Sequence, residues 1–147
     1  MTIYFDMDGT IADLYGVDGW LEYLHEENPF PYANAKPLVD PETLSKLLNR
    51  IQQAGITIGI ISWLSKTSTP AFDAKVTIAK QEWLNRYLKV EFDEIHIVKY
   101  GTPKYQYCKT ENDILFDDEI GNRNEWTGQA FDVQNILEIL KGIFKSP

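Results

Sequence analysis

The sequence predicts an α/β domain, and three observations carry that expectation. Short β-branched or aromatic runs alternate with longer stretches of helical period along the 147 residues, the pattern of strands interleaved with helices. The run Ile56-Thr57-Ile58-Gly59-Ile60-Ile61 is apolar at nearly every position, as expected of a parallel strand covered on both faces. A hydrophobic fraction of 44% and a charged fraction of 24% are ordinary for a chain that builds a core, and the length suits one domain spanning residues 1–147.

The elements follow in order. A first strand runs from Ile3 to Asp6. The stretch from Asp13 to Pro37 fits neither period: it carries Tyr15, Trp20, Tyr23, Phe30 and Tyr32 among acids, with Trp20, Leu21 and Leu24 suggesting one short helix. It is read as a small insertion, at about residues 14–38, lying over one end of the sheet. Leu44, Leu47, Leu48 and Ile51 then recur on one helical face, with Asp40 as N-cap, Pro41 in the first turn and Gly55 after the last. The second strand spans Ile56 to Ser62, and a helix from Pro70 to Leu88 follows, capped by Thr69, with Val76, Ala79, Trp83 and Tyr87 inward. Strands are expected at Glu91 to Val98, Asp113 to Phe116 and Gln129 to Val133. A last helix near Asn135 to Phe144 buries Ile136, Leu140 and Ile143, with Asp132 a candidate cap.

Composition narrows the function classes. Lys and Arg total 14 against 22 Asp and Glu, a net charge of −8, so the electrostatic footprint of a general nucleic-acid binder is missing. A small site can still hold a nucleotide through local charge or a bound cation. The single cysteine, Cys108, cannot form an intrachain disulfide, and the first residues lack both a basic region and a long apolar run, which together suggest a cytoplasmic setting. The apolar-rich run from Ile56 to Leu64 is less than half the ~20 residues that a membrane helix needs, so no membrane partner is expected.

The strongest chemical signal is Phe5-Asp6-Met7-Asp8-Gly9-Thr10. On an extended chain residues i and i+2 point the same way, so Asp6 and Asp8 would converge at the carboxyl end of the first strand, where open α/β sheets place their ligands. Gly9 permits a sharp exit from the strand. Ser62 ends the apolar second strand with a hydroxyl. Lys104 follows Tyr100-Gly101-Thr102-Pro103, where Thr102 can cap and Pro103 can open a helix. Asp117 and Asp118 end Ile114-Leu115-Phe116 as a second acidic pair.

With its motifs standing in order as FDMDGT, IISW, YGTPK and ILFDDE, the chain resembles the haloacid dehalogenase-like (HAD) superfamily of phosphohydrolases. The ILFDDE ending and the short chain are most similar to the 5′(3′)-deoxyribonucleotidase group and related small phosphatases. The resemblance implies a Rossmann-like three-layer sandwich, with a five-stranded, mostly parallel sheet in the order 5-4-1-2-3 counted along the chain. It implies a Mg²⁺-dependent phosphomonoester hydrolase, with Asp6 as nucleophile forming an aspartyl-phosphate and Asp8 as general acid and then base. Ser62 and Lys104 would hold the transferring phosphoryl oxygens, with Lys99 the competitor of Lys104. Two like charges ~4 Å apart repel by about 4 kcal/mol at an effective dielectric of ~20, so several carboxylates round a phosphate call for a hard cation. By resemblance the Mg²⁺ ligands are the Asp6 side chain, the Asp8 backbone carbonyl and Asp118, with Asp117 behind it or sharing the role.

His25 and His96 have no acid or metal partner in sequence and are read as surface or partly buried histidines, and Cys108 as packed in its helix. The run Asn122-Arg123-Asn124-Glu125-Trp126 resembles the loop after the fourth motif in nucleotidases, and is equally readable as a plain connection. An EF-hand loop starting at Asp6 would need glycine and glutamate where Ile11 and Val17 stand. A phospho-accepting receiver domain, or a domain that binds phosphate without catalysis, is the alternative from another class; the order Asp-x-Asp, Ser, Lys, Asp-Asp departs from that of receivers. The insertion is minimal for a substrate-selecting cap. An open site suits either a bulky substrate or a homodimer in which a second copy covers the mouth, and Tyr15, Trp20 and Tyr32 could stack the base of a small phosphorylated substrate such as a nucleotide monophosphate.

Overall fold

The computed structural model describes residues 1–145. Its centre is a sheet of β1 (Thr2–Phe5), β4 (Thr57–Trp63), β5 (Glu94–Val98), β6 (Ile114–Phe116) and β7 (Gln129–Phe131), in the order β5-β4-β1-β6-β7. All four ladders are parallel. Numbered over these five strands the order is that expected, 5-4-1-2-3, and it differs from the 2-1-3-4-5 order of flavodoxin-like folds, to which receivers belong.

One face of the sheet carries α3 (Pro41–Gln53), α4 (Pro70–Tyr87) and α6 (Ile136–Lys145). Leu44, Leu48 and Ile51 of α3, Trp83 and Leu84 of α4 and Leu140 of α6 meet Ile3, Phe5, Ile58 and Ile60 of the sheet in one buried cluster. The other face is thinner. Tyr4, Ile61 and Leu115 are covered by Trp126, which follows α5 (Ile120–Glu125), and by Tyr107 and Cys108 at the end of a single 3₁₀ turn, Lys104–Tyr107. These three layers are the Rossmann-like architecture that the motif resemblance implies. No helix among the described residues is long and apolar enough to cross a membrane.

The helix ends follow the expected chemistry. Asp40 accepts from Thr43 N at 3.0 Å, and Thr69 Oγ1 from Phe72 N at 3.2 Å. Asp132 accepts from Val133 N at 2.8 Å and caps the 3₁₀ turn that leads into α6. Other boundaries move for local reasons. The third strand of the sheet starts at Glu94 rather than Glu91 because the Asp93 carboxylate takes the Ile58 N–H at 2.9 Å, a donor that a longer ladder would need. The helix expected after Pro103 is one 3₁₀ turn without a side-chain cap; the Thr102 hydroxyl instead donates to Lys99 O at 2.7 Å. The run from Asn122 to Trp126 is largely helix α5 rather than a loop.

The insertion after β1 holds two short helices: α1 (Trp20–His25), at the expected run of Trp20, Leu21 and Leu24, and α2 (Phe30–Asn34). Its two ends are tied by an antiparallel ladder between β2 (Ala12–Asp13) and β3 (Lys36–Pro37). Tyr32 and Leu14 pack on Phe72, Val76 and Ala79 of α4, which seats the insertion above the carboxyl ends of β1 and β4.

Candidate active site

The first catalytic candidates stand on the loop that leaves β1. Asp6 N donates to Phe116 O at 2.9 Å, so its backbone is still held by β6. The chain then turns tightly, the Met7 carbonyl accepting from Thr10, Ile11 and Ala12 N–H groups at 3.0 Å. Gly9 is required on two counts: its φ is +80°, and a Cβ there would stand 2.3 Å from Asp118 Oδ2. Because the strand ends at Phe5, the alternation expected to aim Asp6 and Asp8 alike does not reach Asp8. Both line the same cavity, but each carboxylate has its own lysine: Lys104 Nζ lies 2.8 Å from Asp6 Oδ1, and Lys80 Nζ lies 2.9 Å from Asp8 Oδ2.

The second acidic pair follows β6. Asp117 is 1% exposed and fully engaged: Oδ2 accepts from Lys104 at 2.7 Å and from Asn122 at 3.1 Å, and Oδ1 accepts from Glu119 N at 2.9 Å. Arg123 donates to its carbonyl at 3.0 Å. Asp118 is exposed. Its backbone N–H donates to Thr10 Oγ1 at 3.2 Å, and that hydroxyl donates in turn to Asp6 Oδ2 at 3.0 Å, joining the two acidic loops. Oxygens of Asp6, Asp117 and Asp118 all lie within 4.8 Å of one another.

Such crowding shows in the proton affinities. Burial, and then the charge of Asp6, push Asp117 up to about 6 and Asp118 up to about 7. Asp8 is raised by burial against the pull of Lys80. For Lys104 burial is the largest effect and lowers it, yet the carboxylates of Asp6 and Asp117 outweigh that and leave it raised. One ammonium thus serves two carboxylates while Asp118 has no cationic partner among the described residues. The donor set of clustered carboxylate oxygens fits a hard divalent cation, and Asp6, Asp118 and Asp117 are the side chains that could hold it.

Several expected residues sit elsewhere. Ser62 is a correction: it shares the face of Ile58 and Ile60, so β4 aims it at α4, where it is 0% exposed and accepts from Lys80 at 2.6 Å. It does not line the cavity, whereas Ser65 does. Lys99 is exposed and away from the cavity, which leaves Lys104 beside the acids. His25 lines the cavity; His96 has an acid partner after all, Glu94 at 2.9 Å. Cys108 lies just past the 3₁₀ turn, its Sγ 3.2 Å from Thr110 O.

Sequence reasoning passed over Lys80, and it quoted Thr10 and Asn122 within their motifs without giving either a role. Lys80 had a signal. It falls between Val76 and Leu84 at helical spacing on the buried stripe of α4, where a charged side chain must find partners.

Above the acids opens a cavity of about 530 Å³. Tyr15, Trp20 and Leu24 of the insertion form one wall, and Trp63, Lys66 and Tyr100 the other. Tyr15 meets Trp20 edge to face with centroids 5.0 Å apart, and Trp63 meets Tyr100 at the same separation.

No family model matches the sequence, and no curated protein matches it. Among solved structures, the D,D-heptose 1,7-bisphosphate phosphatase from Burkholderia thailandensis matches with a TM-score of 0.58 at 10% identity, over 99% of this chain and 99% of that one. At that identity the likeness is one of fold. The chain shares, over nearly its whole described length, the three-layer α/β fold of that phosphatase, the fold implied by the similarity of its four motifs to the haloacid dehalogenase-like superfamily.

Proposed function

We propose that the chain is a Mg²⁺-dependent phosphomonoester hydrolase that works through an aspartyl-phosphate on Asp6, with nucleotide monophosphates as substrates. The observation that carries this reading is the meeting of Asp6, Asp117 and Asp118 within 4.8 Å beside Lys104, at the carboxyl end of the sheet. The known activity of a protein with the same fold, a heptose bisphosphate phosphatase, supports it.

Asp6 supplies the attacking oxygen. Lys104, 2% exposed, is held between Asp6 and Asp117 so that its charge faces a phosphoryl group arriving at Asp6. Asp8 lines the same cavity and serves as acid toward the leaving oxygen, then as base toward water. Mg²⁺, held by the Asp6 and Asp118 carboxylates and the Asp8 carbonyl with Asp117 behind, would offset the charge gathered there and polarise the phosphoryl oxygens. The aromatic walls at Tyr15, Trp20, Trp63 and Tyr100 suit a planar base, which supports the nucleotide substrate.

Hydrolysis of a panel of nucleotide and sugar phosphates, with and without Mg²⁺, tests this reading. The expected result is Mg²⁺-dependent release of phosphate, faster on nucleotides, and a loss of at least about a thousandfold for Asp6→Asn with circular dichroism unchanged. Full activity in Asp6→Asn would sink the nucleophile assignment, and equal rates on nucleotides and sugar phosphates would sink the substrate.

A further inference from the structure

Lys80 is a buried cation that the chemistry above does not use. It stands in the inward stripe of α4 among Val76, Ala79, Trp83 and Leu84, and is 1% exposed. An ammonium has three protons to donate, and here three acceptors meet it: Asp8 Oδ2 at 2.9 Å, Ser62 Oγ at 2.6 Å and the Trp63 carbonyl at 2.7 Å. The ring of Tyr32, from α2 of the insertion, completes the surround with its centroid 5.1 Å from Nζ. Lys80 does not line the cavity; Asp8 does, and so stands between Lys80 and anything bound there.

This arrangement is costly to build. Removing an ammonium from water is unfavourable unless every proton is taken up and a counter-charge lies close, and an apolar side chain of similar length would pack in the same stripe. Asp8 is the only anionic partner among these contacts. Its Oδ2 is committed to Lys80, while Oδ1 takes no hydrogen bond from the described residues.

We propose that Lys80 is a positioning residue: it grips Asp8 by Oδ2, fixes the carboxyl rotamer at the cavity wall, and leaves Oδ1 as the oxygen that exchanges a proton with the leaving group. This inference rests on the phosphatase reading. In the first half-reaction the Asp6 oxygen forms a bond to phosphorus, the bond from phosphorus to the leaving oxygen breaks, and the proton on Asp8 Oδ1 passes to that leaving oxygen. In the second half Asp8 Oδ1 takes a proton from the attacking water as the bond from Asp6 to phosphorus breaks, which restores both groups. Ser62 and the Trp63 carbonyl serve the same end by holding Lys80, and Tyr32 couples the insertion to it. Precise placement matters because proton transfer needs the two heavy atoms within hydrogen-bond reach.

A purely structural lysine and a positioning lysine differ in how the loss depends on the leaving group. An alkyl phosphate leaves as a poor alkoxide that needs the proton from Asp8, whereas p-nitrophenyl phosphate leaves as a stabilised phenolate that does not. The specificity constant kcat/KM covers substrate binding and the first phosphoryl transfer, so later hydrolysis of the aspartyl-phosphate does not blur the comparison. Measured with Mg²⁺, Lys80→Met should lower kcat/KM on the fastest alkyl ester of the panel about a hundredfold or more, and on p-nitrophenyl phosphate by less than about tenfold. Ser62→Ala, which removes one anchor of Lys80, should show a smaller bias in the same sense.

Equal losses on the two esters, or a greater loss on the aryl ester, would overturn the proposal. If Lys80→Met does not fold, Ser62→Ala decides it by the same comparison, equal losses on the two esters overturning the assignment. A wild-type protein that hydrolyses neither ester would overturn the phosphatase reading and this inference together. Wild-type hydrolysis that Asp6→Asn abolishes, combined with an unbiased Lys80→Met, would overturn the inference alone.

Discussion

Asp118 is where stability and the proposed chemistry pull against each other. Burial and the neighbouring charge of Asp6 raise its pKa to about 7, and Asp117 is raised to about 6. An acid whose folded pKa lies above its unfolded value near ~4 holds its proton more tightly in the folded chain. Its contribution therefore favours folding at low pH and is lost as pH rises from about 4 through about 7. In chelator, the melting temperature set by these acids should fall between pH 5 and pH 8, and Mg²⁺ should raise it more at pH 8 than at pH 5. Asp118→Asn removes the crowded charge, so it should melt higher than wild type in chelator at pH 8 and gain little from Mg²⁺. Thermal denaturation at the two pH values checks both expectations, and a variant that still gains as much from Mg²⁺ as wild type would contradict the role given to Asp118. The acids were legible in the sequence because Asp-x-Asp-Gly and Phe-Asp-Asp each follow an apolar strand. For Lys80 the burial was legible from the stripe of α4 but the partners were not, because Asp8 and Trp63 stand 72 and 17 positions away in the chain. Ser62 was misplaced for a simpler reason: the end of a strand is visible in sequence, but the face a side chain takes depends on where the ladder stops.

Among the elements, β1 and β4 show how a missing side chain shapes a layer. Gly59 lies opposite Tyr4 in the parallel ladder, and a Cβ on it would stand 2.8 Å from two atoms of the Tyr4 ring. The space lets Tyr4 lie flat and send its hydroxyl to Glu94 on β5, 3.0 Å away. Glu94 in turn binds His96 and Lys109, so one glycine supports a polar cluster that reaches across β4 to tie β1 and β5 to the connection before β6. Gly59→Ala should cost about 1–3 kcal/mol, the range for overpacking a filled core, measured as a lower urea midpoint. An unchanged midpoint would mean that Tyr4 moves at no cost. Helices α3 and α4 were readable end to end because each carries its own cap and apolar stripe. The 3₁₀ turn at Lys104–Tyr107, helix α5 and the β2–β3 ladder were not. They are too short to show a period, and their form is set by long-range partners such as Asp117, which accepts from both Lys104 and Asn122.

Taken whole, the molecule joins a tightly buried sheet to an insertion anchored on α4 through Leu14 and Tyr32 but exposed along α1. Helix α1 has no buried residue and no side-chain cap, whereas β1 and β6 are buried at every position. Local opening is governed by such differences in burial. Backbone amides of α1 should therefore exchange with deuterium orders of magnitude faster than those of β1, read by mass spectrometry; equal protection would show the insertion to be part of the rigid core. The class of fold was legible from local patterns, while the strand order came only from the motif resemblance, because no local pattern states which strands are neighbours.

That order has a consequence for how the protein is made. Of the five strands, the one earliest in the chain becomes the middle of the sheet, flanked by β4 and by β6, which follows it by more than a hundred residues. Until β6 emerges, Phe5 and its neighbours have one edge unpaired and Asp6 lacks both Lys104 and the later acids. A chain cut short before β6 therefore lacks the acidic cluster, and until that strand is made the apolar strand β1 keeps one edge open to wrong pairing.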